Sequence, residues 1–93
     1  MVDTVRVEVI YATPAGQERY PVEVRAGATV AEAIRASGVL RAFPEIDLAV
    51  NRVGIYGTLV ALDRRVSADD RIEIYRPLAA DPKEARRRRA RRR

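Results

Sequence analysis

Residues 4–25 hold two stretches of period-two alternation on either side of five turn-forming residues, and nothing else in the chain limits its fold so strongly. In Thr-Val-Arg-Val-Glu-Val-Ile-Tyr (4–11), Val5, Val7 and Val9 fall on one side and Arg6 and Glu8 on the other. That is the pattern of a half-buried strand. Ala-Thr-Pro-Ala-Gly (12–16) supplies turn chemistry, with Pro14 fixing φ and Gly16 tolerating positive φ. Across 17–25, Tyr20, Val22 and Val24 alternate with Arg19, Glu23 and Arg25. Pro21 has no N–H to offer a neighbouring strand, which predicts an edge position. Strands so close in sequence pair as an antiparallel hairpin.

One helix signal follows. Thr29 and Glu32 have capping-box spacing, Val30, Ala33, Ile34 and Ser37 form a single stripe, and Gly38 suits the left-handed residue that ends a helix. About two turns cannot stand alone in water, so this helix is expected to lie across a sheet. Phe-Pro-Glu-Ile-Asp-Leu (43–48) reads as a tight turn or short 3₁₀ piece carrying Phe43, Ile46 and Leu48 inward. Strands are then expected over roughly 49–56, near 58–62 and over 71–76. The last follows a Ser-Ala-Asp-Asp turn (67–70), where Asp tolerates a strained position. The order β-β-α-β-β-β, without internal repeats, predicts an α+β, ubiquitin-like β-grasp domain over residues 1–80. Its mixed sheet should have four to five strands with one main helix packed across it.

Charge divides the chain. Residues 1–82 hold ten Arg against twelve acidic residues, a net −2, whereas 83–93 carry a net +7. The overall charge of +5 therefore describes a short basic tail on a slightly acidic body. Within the tail (81–93), Asp81, Pro82 and Glu84 are helix-start signals. Yet Arg87 and Arg91, Arg88 and Arg92, and Arg89 and Arg93 are like charges at i,i+4, which repel. The tail is expected to be largely disordered when free and to become helical on an anionic partner. Lys83, Arg86, Arg87, Arg88, Arg89, Arg91, Arg92 and Arg93 are its candidate anion- or RNA-binding residues. With no aromatic in 79–93, contact with RNA or a ribosome there would be phosphate-dominated and blind to sequence.

The chain contains neither Cys nor His. That excludes thiol nucleophiles, disulfides, iron–sulfur ligation, Cys/His zinc sites and His-dependent triads. No metal and no cofactor are expected. No apolar stretch approaches the roughly 20 residues of a membrane span, so no membrane insertion and a cytoplasmic location are expected. The close acidic pairs, Asp69 with Asp70 and Glu45 with Asp47, read as turn-shaping rather than catalytic. Gly54 and Gly57 suggest a bulge or close backbone approach, not a phosphate loop. No enzymatic activity is expected.

Several stretches resemble one bacterial family. Val-Glu-Val-Ile-Tyr-Ala (7–12), Ala-Ile-Arg-Ala-Ser-Gly (33–38), Phe-Pro-Glu-Ile-Asp-Leu (43–48), Val-Gly-Ile-Tyr-Gly (53–57), Arg-Ile-Glu-Ile-Tyr-Arg-Pro-Leu (71–78) and Asp-Pro-Lys-Glu-Ala-Arg-Arg-Arg-Arg (81–89) look like the RnfH family. The resemblance implies a small ubiquitin-related protein without an established activity. It also implies two settings, beside an electron-transport complex or, for RatB-like members, beside a START-like toxin acting on ribosome assembly. The second half is similar to the sulfur carriers of thiamine and molybdopterin synthesis, which end in a flexible Gly-Gly. Here the corresponding place holds Ala80-Asp81 and no glycine follows Gly57, so a carrier or modifier role is not expected.

What remains is recognition. Tyr56, between Gly54 and Gly57, and Tyr75, next to Arg76, are aromatics with polar tips suited to protein contact. The parity of 53–56 leaves two options open: Val53 and Ile55 face the core, or Tyr56 does. An outward Ile55 would add an apolar patch. Ile55, Tyr56, Tyr75 and Arg76 are thus the candidate protein-binding residues of a non-enzymatic interaction module working through its sheet face or last strand.

Overall fold

The computed structural model describes residues 3–76. Two long strands, β1 (Thr4–Thr13) and β2 (Gly16–Arg25), form the expected hairpin around Pro14 and Ala15. Helix α1 (Val30–Ser37) ends at Gly38, and a single further helical turn, α2 (Val39–Ala42), starts there. Three short strands follow, β3 (Val53–Ile55), β4 (Thr58–Val60) and β5 (Arg71–Ile74). The sheet runs β2-β1-β5-β3-β4, with β1 and β5 parallel and the other neighbours antiparallel. Pro21 thus lies on an edge strand, where a missing N–H costs no ladder bond.

Register explains the core. Val9 stands between Tyr20 and Ile72, Tyr11 beside Ile74, and Ile72 and Ile74 beside Ile55 and Val53. Paired residues share a face, so one side of the sheet is a continuous apolar layer. Val30, Ala33 and Ile34 of α1 and Val39 of α2 close over it, and all of these side chains are buried. Each fully buried Ile or Val contributes about 1.5–3 kcal/mol. Tyr11 is part of this layer, its ring centroid 4.9 Å from that of Phe43.

The start of α1 has two supports. Thr29 Oγ1 accepts the Glu32 N–H at 3.2 Å, and the Glu32 carboxylate accepts the Thr29 N–H at 3.0 Å, which is the capping box. Residues 62–66 supply the second support. The carbonyls of Arg64 and Leu62 accept the N–H groups of Val30 and Ala31 at 2.8 and 3.0 Å, and Val66 N–H donates to Ala28 at 2.8 Å. The helix therefore begins without orphaned donors.

The strand expected over 49–56 shortens to β3, and Asp47 is the reason. Its Oδ1 accepts the Ala49 N–H, and its carbonyl accepts the N–H groups of Val50 and Asn51. Asn51 Oδ1 in turn accepts the Asp47 N–H at 2.9 Å. These local bonds hold 47–51 as a turn and compete with sheet pairing. Asn51 is buried, and its Nδ2 donates to the Tyr75 carbonyl at 2.9 Å, clasping the turn to the end of β5. The expected 58–62 and 71–76 strands also end early, at Val60 and Ile74. Before β5, Asp69 takes the strained position at φ 67 and Asp70 accepts the Ser67 N–H at 2.7 Å. Among the described residues no helix is long and apolar enough to cross a membrane.

Candidate protein-interaction face

No helix of the described residues packs on the opposite face of the sheet. Register sets Pro21, Glu8 and Arg71 in one cross-strand row, and Arg19, Ile10, Glu73, Gly54 and Leu59 in the next. Tyr75, two residues beyond Glu73, projects to the same side. Leu59 is 55% exposed.

The β3–β4 connection is Tyr56-Gly57, with φ 47 and 82. Positive φ at both central residues is the type I′ geometry, whose twist matches the flanking strands. The register of β3 with β5 fixes the parity of 53–56. Val53 and Ile55 point inward and Tyr56 is 61% exposed. Ile55 is accordingly a core residue and not a surface contact: only 6% exposed, it pairs with Ile72 on the helix side.

The Tyr56 hydroxyl donates to the Asp69 carbonyl at 2.6 Å. The Arg71 guanidinium stands 5.8 Å from the ring centroid, and its Nε is 3.5 Å from a Glu8 carboxylate oxygen. Arg6, Glu8, Pro21, Tyr56, Asp70 and Arg71 surround a cleft of about 260 Å³. This is smaller than the roughly 300–1,000 Å³ of small-molecule sites, and it suits a side chain better than a cofactor.

Glu73 links this turn to Tyr75. Its Oε1 accepts the Gly57 N–H at 2.8 Å and the Tyr75 hydroxyl at 2.6 Å. The bond to Glu73, reinforced by burial, pushes the Tyr75 phenol up to about 12. Gly54 permits the arrangement, because a Cβ there would meet the Tyr75 hydroxyl oxygen at 2.5 Å. Arg76 is exposed but approaches Tyr11 on the helix side. There burial raises the Tyr11 phenol, helped by its 3.2 Å bond to Glu45, while Arg76 opposes the rise.

Of the sequence candidates, then, the Tyr75 hydroxyl bonds the Glu73 carboxylate that also accepts the Gly57 N–H, the Tyr56 hydroxyl bonds the Asp69 carbonyl instead, Arg76 is on the other side, and Ile55 is interior. Lys83, Arg86, Arg87, Arg88, Arg89, Arg91, Arg92 and Arg93 lie outside the described residues, as does the proposed 81–93 tail. Sequence reasoning missed Glu73, Arg71 and Leu59, whose roles arise from cross-strand neighbours that no local pattern reveals. Among the described residues no group of three or more acidic, His or Cys side chains is placed to hold a metal ion.

A mixed five-stranded sheet in this order, with a helix across one face, defines a ubiquitin-like β-grasp protein. Small archaeal modifier protein 1 of H. volcanii shares the fold, with a TM-score of 0.63 and 21% identity over 80% of this chain and 99% of that one. The chain belongs to the RnfH family, since the model described as RnfH family Ubiquitin matches residues 5–89. Protein RnfH of Tolumonas auensis is 53% identical over 90 residues, spanning 97% of this chain and 91% of that protein. A UPF0125 protein of Vibrio cholerae serotype O1 is 57% identical over 88 residues, spanning 95% of this chain and 87% of that protein.

Proposed function

We propose that this RnfH-family chain is a non-enzymatic interaction module that recognises a partner protein through the open face of its sheet. The contact centres on Tyr56, Leu59 and Tyr75, and the basic run of 83–93 adds electrostatic attraction. The observation that carries this reading is the conformation of Tyr56. A bulky residue held at φ 47 costs on the order of 1 kcal/mol, where Asn or Gly would sit more easily. Its ring is largely exposed and contributes little to the core, so the position points to use at the surface. The acidic pairs support a non-catalytic role, since Asp47 and Asp70 accept main-chain bonds within turns and Glu45 accepts from Tyr11.

The partner classes implied by family resemblance, a START-like protein or a component of an electron-transport complex, are the first to test. Tagged full-length chain is used for co-purification with and without nuclease. Tyr56→Ala and Tyr75→Ala are expected to lose the partner, and nuclease to change nothing. If nuclease releases everything bound and both variants retain it, the basic run binding RNA or a ribosome replaces this reading.

A further inference from the structure

Glu73 stands on the sheet face opposite the helix, half-buried, with the buried Ile10 beside it on β1 and Gly54 on β3. Both hydrogen bonds it receives, from the Gly57 N–H and the Tyr75 hydroxyl, go to Oε1, and they fix the half-buried carboxylate in place. A carboxylate has about four acceptor positions, so roughly half its capacity, centred on Oε2, is unused by these bonds. Among the described residues no cation lies within ion-pair distance of Glu73, whereas Glu8 on the same face has Arg71 and Glu32 has Arg25. On the same face Arg71, two residues before Glu73, is engaged by Glu8, and Arg19 stands at the far end of the row beyond Ile10. The immediate neighbours of Glu73 among the described residues are apolar or aromatic. The Tyr75 hydroxyl end lies against Gly54, Leu59 is exposed across Gly54, and Tyr56 occupies the adjoining turn.

We infer that the partner seats a basic side chain on Glu73 and an adjacent apolar residue on Leu59 and Tyr56, an inference that rests on the interaction reading above. A lysine or arginine would donate a charge-assisted bond to Oε2 while its methylene stem covers Leu59 and its cation approaches a tyrosine ring. The chain's own basic run is a poor match. Its apolar residues within 83–93 are Ala85 and Ala90, too short to cover Leu59. The fitting occupant is a partner segment in which a basic residue neighbours a large apolar one.

The test uses ¹⁵N-labelled full-length chain titrated with acetyl-Leu-Arg-Leu-amide and with the same peptide carrying citrulline, the uncharged isostere of arginine. The arginine peptide is expected to shift the Gly57, Glu73 and Tyr75 amides and to bind about three- to tenfold more tightly than the citrulline peptide. Glu73→Gln should abolish that difference, because glutamine keeps an oxygen for the Gly57 and Tyr75 donors while removing the charge. Equal affinity for the two peptides at this face overturns the Glu73 assignment and leaves the interaction reading intact. Shifts confined to residues away from the open face overturn both. Two results on unliganded protein would name a different occupant and also overturn the assignment. Gly57 shifts on removing 83–93 would mean the chain's own tail, and concentration-dependent Gly57 shifts would mean a second copy.

Discussion

The Tyr56 hydroxyl donates a 2.6 Å hydrogen bond to the carbonyl of Asp69, joining the two non-glycine residues of the described chain that have positive φ. Asp reaches this region with little difficulty, whereas a bulky aromatic there is a true outlier. The bond ties the β3–β4 turn to the turn before β5, and so holds an exposed ring at a fixed place beside Arg71.

Replacing this tyrosine separates recognition from stability. Tyr56→Asn gives up a hydrogen bond worth about 0.5–1.5 kcal/mol but puts a residue suited to the type I′ turn where the strained one stood. The expected outcome is an unfolding free energy within about 1 kcal/mol of the parent by urea denaturation, together with loss of the co-purifying partner. A stability loss above roughly 2 kcal/mol would make the ring a structural brace.

Gly54→Ala tests the close approach that shapes the face. The new methyl would meet the Tyr75 hydroxyl oxygen at 2.5 Å and the Thr58 carbonyl oxygen at 2.9 Å. The first contact belongs to a movable side chain and the second to backbone. A loss of about 1–3 kcal/mol is expected. Adding Tyr75→Ala should cost less in the Gly54→Ala background than in the parent, because the two share one contact. Strictly additive effects in the double-mutant cycle would show that the ring does not cover Gly54.

What the sequence made legible, and what it did not, follows from the range of each interaction. Val5, Val7 and Val9 against Arg6 and Glu8, and Thr29 with Glu32, are local patterns, and β1 and the start of α1 follow from them. Three-residue β3, with Gly54 at its centre, offers too few alternating positions to set its parity, and the facing of Ile55 and Tyr56 is fixed only by the register with β5. The first half of the strand expected over roughly 49–56 is lost to the side chains of Asp47 and Asn51, a competition that alternation does not register. Tyr75 and Arg76 are adjacent in sequence yet approach different sides of the sheet. Glu73 could not be singled out, because its partners come from a turn 16 residues away and from its own strand end.

The Tyr75–Glu73 bond predicts a defined alkaline titration. The phenol lies at about 12 in the folded protein against 10.0 ordinarily, so the folded state holds its proton more tightly than the unfolded chain. The resulting stability is fully present below pH 10 and is lost as pH rises from about 10 to 12. Phenolate absorbance should show a late step that disappears in Tyr75→Phe and moves toward 10 in Glu73→Gln. Tyr11, also raised, should keep its behaviour in both variants. Persistence of the late step in Tyr75→Phe would assign it to another tyrosine.

The basic run at 83–93 makes a separate forecast through salt. As an electrostatic aid to a protein contact, its charge of +7 should act on encounter. Removing it should then slow association with the purified partner about tenfold at 50 mM salt and leave dissociation within about twofold. Most of that effect should vanish by 200 mM, as the screening length shortens. Binding to single-stranded RNA would look different. Neutralising about six phosphates gives a slope of log K against log salt near −4, a fall of about 250-fold between the same two concentrations. Stopped-flow traces across that range therefore decide the part the tail plays. A modest slope confined to association makes it an aid to the sheet face, and a steep slope in affinity for RNA makes it the principal ligand-binding element.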